Sequence, residues 1–133
     1  MLKQMRDMPA GTVGFEAIGK VEDDDFEHAV EPVLRAEIAA GRKIRLLYLL
    51  GPELREYESE TLGEEMKFAA RHHSSYERVA VVSDEDWLRP ALRVLSVLVP
   101  GQLRAFPVAQ LAAAREWLAT TDGAGAGEKA EKA

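Results

Sequence analysis

The chain has 133 residues, a net charge of −6 at neutral pH and no cysteine. That length fits one domain with one core, and the acidic balance argues against a nucleic-acid binder, which needs a basic face. Without cysteine there are no disulfides, no thiolate chemistry and no Cys-ligated metals.

Acidity also disfavours electrostatic docking to anionic lipid, though not docking by apolar contact, so membrane association is not predicted. No run reaches the length that spans a bilayer. The opening MLKQMRDMPAG lacks the apolar stretch of a secretory signal, so the expectation is a soluble cytoplasmic protein.

Met1 to Met8 is weakly patterned and can supply a short edge strand. Pro9-Ala10-Gly11 then turns the chain. Val13, Phe15 and Ala17 alternate with Gly14, Glu16 and Ile18, the pattern of a half-buried strand that pairs with the first as a hairpin. Glu22-Asp23-Asp24-Asp25 opens the first helix, where acidic groups complement the positive end of the helix dipole. Phe26, Val30, Val33, Leu34 and Ile38 form its apolar face. Pro32 lies inside that pattern and should kink or divide the helix, because it lacks an N–H and clashes one turn back. Gly41 ends it.

Lys43 to Leu50 reads as the central strand. Ile44, Leu46, Tyr48 and Leu50 make one apolar face, Leu47 and Leu49 the other, as in a strand with cover on both sides. Gly51-Pro52 stops it, and Glu53 to Glu60 reads as a polar connection with Tyr57 as its one aromatic. The second helix begins near Ser59 or Thr61. Thr61-x-x-Glu64 matches a capping box, and Leu62, Met66, Ala69 and Ala70 form the buried stripe. His72 and His73 fall at its end. Neighbouring histidines on a helix do not converge on one metal, and the helix C-terminus favours their partial positive charge.

Arg78 to Val82 is the next buried strand. Ser83-x-x-Asp86 matches a second capping box before a third helix from about Glu85 to Val99. This helix is apolar around most of its circumference and needs more than one neighbour. Burial with a homodimer contact is one reading; a wall for a small apolar ligand, or contact with lipid, is the other. Pro100-Gly101 turns into a short strand from Gln102 to Phe106. A closing helix follows, with Leu111, Ala114, Trp117 and Leu118 inward. The stretch 120–133 is small, flexible and charged, and is expected to be a disordered tail behind a domain over residues 1–119.

The pattern predicts an α/β layer fold, a mixed sheet of about five strands with four helices. Reaction chemistry is hard to find. There is no G-x-S-x-G elbow, P-loop or G-x-G-x-x-G fingerprint, and no cofactor is expected. The task is then binding, without catalysis, at loops entering helices from the carboxyl ends of strands. The candidates there are Tyr57, Ser59, Thr61, Ser83, Asp84 and Trp87, with Leu88, Leu92 and Leu95 on the third helix. Ser59, Thr61 and Ser83 read first as helix caps, and Trp87 as core.

These segments together resemble the SpoIIAA-like, STAS-type small bacterial domains related to the CRAL-TRIO fold. The resemblance is carried by VGFEAIGKV from Val13, KIRLLYLLG from Lys43, RVAVVSDEDWLRPAL from Arg78 and PGQLRAFPVAQLAAAREWL from Pro100. It implies a four-turn βα superhelix with helices largely on one side of the sheet. It implies a regulatory or binding role toward a partner protein or a small apolar, lipid-like ligand, as CRAL-TRIO relatives hold an apolar molecule between helices and sheet. STAS-type relatives also include anti-anti-sigma switches phosphorylated at the start of the second helix. Ser59 is the closest position here and Thr61 the next, but the Asp-Ser-Ser/Thr-Gly motif is replaced by EYESETLGEE. A phosphate there would meet four glutamates, Glu58, Glu60, Glu64 and Glu65.

Overall fold

A computed structural model describes residues 1–99 and 102–120. The expected turn at Pro100-Gly101 and all but the first residue of the expected tail lie outside the described residues. Five strands form the main sheet in the order β1-β2-β4-β6-β7: β1 (Leu2–Gln4), β2 (Val13–Ala17), β4 (Ile44–Leu50), β6 (Tyr76–Ser83) and β7 (Leu103–Phe106). β1 pairs antiparallel with β2 as the hairpin reading required, and every other pairing in this sheet is parallel.

A small second sheet pairs β3 (Gly19–Val21) with β5 (Leu54–Tyr57) in parallel. The expectation of a structureless connection from Glu53 to Glu60 is therefore corrected. Leu54 and Tyr57 alternate with charged residues too briefly for the period to stand out, and the partner strand has only three residues.

Four helices cover the sheet. α1 runs through residues 23–39 as Asp23–Asp25, a π-helical turn at Phe26–Val30, and Glu31–Ala39. The π turn stands directly before Pro32. There the Glu31 N–H reaches back to the Phe26 carbonyl, and the wider turn relieves the clash a proline imposes on an α-helix. Glu22 and Asp25 close the helix entry as a capping box, with the Glu22 N–H donating to Asp25 Oδ2 at 2.7 Å. Gly41 follows the helix at φ 77°, a left-handed position that favours glycine.

α2 is Ser59–Arg71, α3 is Arg89–Leu98 after a 3₁₀ turn at Asp86–Leu88, and α4 is Leu111–Ala119 after a 3₁₀ turn at Val108–Gln110. Neither expected capping box forms. Glu58 holds the N-cap of α2 and Glu85 that of the 3₁₀ turn before α3, in each case without a side-chain cap hydrogen bond. Ala70, expected in the stripe of α2, is exposed.

The two faces of β4 build two cores, as its double apolar pattern requires. Phe15, Phe26, Val30, Leu34, Leu46, Phe68, Val79 and Leu88 fill the front, under α1, α2 and α3. Leu47, Leu49, Ala80, Val82, Phe106, Ala114, Trp117 and Leu118 fill the back, under α4 alone. An irregularity in the β4–β6 register lets Ile44 pair with Tyr76 and Arg45 with Arg78, leaving Glu77 over. Such a bulge re-aims side chains. Tyr76 packs with the front core, and Arg78 goes to the back.

Arg78 is buried and stacks its guanidinium on Trp117, 5.4 Å from the ring centroid. It donates to the carbonyls of Trp117 and Thr120, each at 2.7 Å, and to the Thr120 hydroxyl. Arg45 donates to the carbonyls of Leu118 at 2.9 Å and Thr120 at 2.5 Å. Two cations thus hold the carbonyl end of α4, where the helix dipole is negative. Replacing Arg78 with Met is expected to lower unfolding stability by about 2 kcal/mol, the scale of hydrogen bonds to charged groups. A urea titration measures it, and an unchanged midpoint would contradict the clamp.

Candidate functional site

Between the front of the sheet and helices α2 and α3 lies a cavity of about 60 Å³. One water needs roughly 10–15 Å³ of such space. The walls are almost wholly apolar. β4 contributes Leu46, Tyr48 and Leu50, and β6 contributes Tyr76, Val79 and Val81. Leu62, Met66 and Ala69 come from α2, Ala91, Leu92 and Leu95 from α3, and Phe26 and Leu88 complete the lining.

One charged group stands among them. Glu65 lies on the inner stripe of α2, three residues after Leu62 and four before Ala69, so its carboxyl is directed inward with them. The residue is half-buried and forms part of the cavity wall. Tyr57, brought in by the small sheet at the end of β5, donates its hydroxyl to Glu65 Oε2 at 2.5 Å. Tyr48 stands on the same wall and, like Tyr57, favours the ionised carboxyl. Burial pushes the Glu65 pKa from 4.5 up to about 7, and the two tyrosines only partly offset that. Burial likewise drives Tyr48, Tyr57 and Tyr76 upward, and the Glu65 charge adds to each. The site therefore combines one reluctant carboxylate with three phenols that stay protonated at neutral pH.

The structure brings together Tyr57, Leu88, Leu92 and Leu95 of the residues singled out from the sequence; all four line the cavity. The others lie outside its lining. Ser59 is exposed in the first turn of α2. Thr61 is fully buried, its hydroxyl donating to the Val21 carbonyl at 3.5 Å. Ser83 Oγ accepts from the Glu85 N–H at 3.0 Å, a local turn instead of a helix cap. Asp84 accepts from the Val108 N–H at 3.1 Å and so fastens the entry to α4. Trp87, expected in the core, is 42% exposed. Its indole donates to Glu85 at 3.0 Å, and its ring lies 5.9 Å from that of Tyr57. A 3₁₀ turn at this point rotates the ring outward and turns Leu88 in.

The third helix is apolar on two faces, as its sequence requires. Leu92 and Leu95 face the cavity, while Val94 and Val97 are exposed on the outer side. His72 caps the end of α2 with its ring 4.4 Å from that of Phe68, and His28 and His73 are exposed. Among the described residues no group of three His, Asp or Glu side chains is placed to hold a metal ion. No helix among them is long and apolar enough to cross a membrane.

Sequence reasoning missed Glu65, Tyr48 and Tyr76 as a cluster. The signal was there for Glu65: a charge inside the helical apolar stripe of α2. Nothing local in the sequence marks the convergence of three tyrosines from three strands.

A family model described as SpoIIAA-like matches residues 12–119, every element from β2 to α4. The chain belongs to the SpoIIAA-like family. No curated protein matches it. Among solved structures, this SpoIIAA-like chain is similar to an uncharacterized protein of the DUF3478 family from Shewanella loihica PV-4, itself with a SpoIIAA-like fold. The TM-score is 0.66 at 23% identity, over 89% of this chain and 92% of the other. At that identity the likeness speaks for the fold alone.

Proposed function

We propose that this SpoIIAA-like domain is a binding domain, without catalysis of its own, that takes a small apolar molecule into the cavity between its sheet and helices α2 and α3. One observation carries the reading: an apolar cavity of about 60 Å³ remains between the front core and helices α2 and α3, where Leu62, Met66, Leu92 and Leu95 stay half-buried. A void of that size forfeits the dispersion contacts its lining would make. An apolar molecule restores them.

The STAS-type and CRAL-TRIO resemblance fits the same use, since the cavity lies between helices and sheet. The alternative of a phospho-switch is less favoured. Thr61 is buried and Ser59 stands beside Glu58 and Glu60, where a phosphate would be repelled.

The test uses a neutral one-ring apolar probe, fluorobenzene, followed by its fluorine NMR signal. The wild-type chain is expected to bind it saturably at one site. Leu92→Trp should abolish binding by filling the void, with circular dichroism verifying that the variant folds. No saturable signal, together with native mass spectra showing only bare protein, would overturn the reading.

A further inference from the structure

The cavity is not uniformly apolar, and its single polar cluster restricts what can enter. We propose that its ligand is an apolar molecule headed by an uncharged hydrogen-bond donor, an alcohol hydroxyl, seated on Glu65. The inference rests on the reading of the cavity as a binding site and adds the chemistry of the head group.

Above pH 7, where Glu65 is ionised, its carboxylate only accepts hydrogen bonds and offers about four lone-pair positions. Tyr57 takes one of them. A further donor arriving in the cavity finds an acceptor there that is already desolvated, where a hydrogen bond is worth more than in water. An alcohol also has lone pairs of its own, and Tyr76 lines the same wall. The alcohol can thus donate to Glu65 and accept from a phenol, satisfying both sides of its oxygen.

Other heads fit worse. A carboxylate or phosphate would face the Glu65 charge at close range, and no Lys, Arg or His lines the cavity to compensate. The charged and titratable groups around Glu65 are Tyr48 from β4, Tyr57 from β5 and Tyr76 from β6, with Asp25 of α1 the next charge felt at Tyr57. None is a cation. An ammonium would pair with Glu65 but must first shed its tightly held water, which commonly cancels the gain. A head with no donor, such as a plain hydrocarbon, fills space and leaves the carboxylate's free positions unused.

Four six-carbon probes separate these cases: 1-hexanol, hexanoate, n-hexane and hexylamine, each competing at pH 8 with fluorobenzene. For the wild-type chain, 1-hexanol is expected to displace fluorobenzene at a concentration about tenfold or more below hexanoate, and below n-hexane and hexylamine as well. Glu65→Leu should erase the advantage of 1-hexanol over n-hexane. Glu65→Gln keeps an acceptor oxygen without charge, so it should retain that advantage and admit hexanoate more readily. If 1-hexanol and n-hexane compete equally in the wild type, the head-group assignment is wrong while the cavity remains a binding site. Hexanoate or hexylamine competing better than 1-hexanol overturns the assignment in the same way. If fluorobenzene itself never binds, the failure belongs to the cavity reading.

Discussion

Between pH 4.5 and 7 the wild-type protein is expected to lose about 3 kcal/mol of unfolding stability relative to Glu65→Gln. The direction follows from proton counting. In the unfolded chain Glu65 ionises with its ordinary pKa of 4.5, whereas in the folded cavity it holds its proton until about 7. Over that window the native state binds more protons than the unfolded state, so stability falls as pH rises. Each pH unit costs about 1.4 kcal/mol while the two states differ by a full proton. Below 4.5 both states are protonated and above 7 both are ionised, so the contribution is flat outside the window. Glu65→Gln removes the titration and keeps an oxygen for the Tyr57 hydroxyl. Urea titrations of both chains at pH 4, 6 and 8 supply the difference. Parallel pH curves for the two chains would show that the carboxyl is solvated in the native state.

Phe26→Ala is expected to be the most damaging of the substitutions considered, at about 3–5 kcal/mol. The Phe26 ring is buried, meets Phe68 edge-on at 5.8 Å between centroids and forms part of the cavity wall. Removing it merges the space of a benzene ring with a void already present, so the surroundings have little to collapse onto. For a domain of this size the midpoint of thermal unfolding should drop by about 10 °C or more. The same geometry supplies a rescue. Benzene at millimolar concentration is expected to recover part of the loss in Phe26→Ala, because a molecule that binds only the native state stabilises it by mass action. A thermal scan with and without benzene reads both effects. A drop of only one or two degrees would mean that the ring carries little of the front core.

Much of the architecture could be read from residues because it rests on periods. The double apolar face of Ile44–Leu50 foretold cover on both sides, and the two cores under α1 to α3 and under α4 are that cover. Pro32 foretold a divided first helix, and the π turn before it is the division. The places where reading failed are those decided by pairing between distant segments. β3 and β5 are each too short to show a period, yet together they carry Tyr57 to Glu65. The serine and threonine caps looked plausible by spacing. In the structure Thr61 is drawn into the core by the carbonyl of Val21, and Ser83 bonds only two residues ahead. Trp87 counted as core by its size, but a 3₁₀ turn sets it outside. The site itself depended on Glu65, a charge at a position where the helical repeat calls for oil, and such a breach of pattern is where function is expected.

The Arg45 and Arg78 clamp gives the molecule an unequal pair of walls. Behind the sheet, the last helix is bolted down through its own backbone, independent of which side chains α2 and α3 present in front. Substitutions on those two front helices can therefore reshape the chamber without unseating the scaffold. In this chain the two sides of one sheet thus divide the labour, the rear wall fixing the scaffold while the front wall is left open to change.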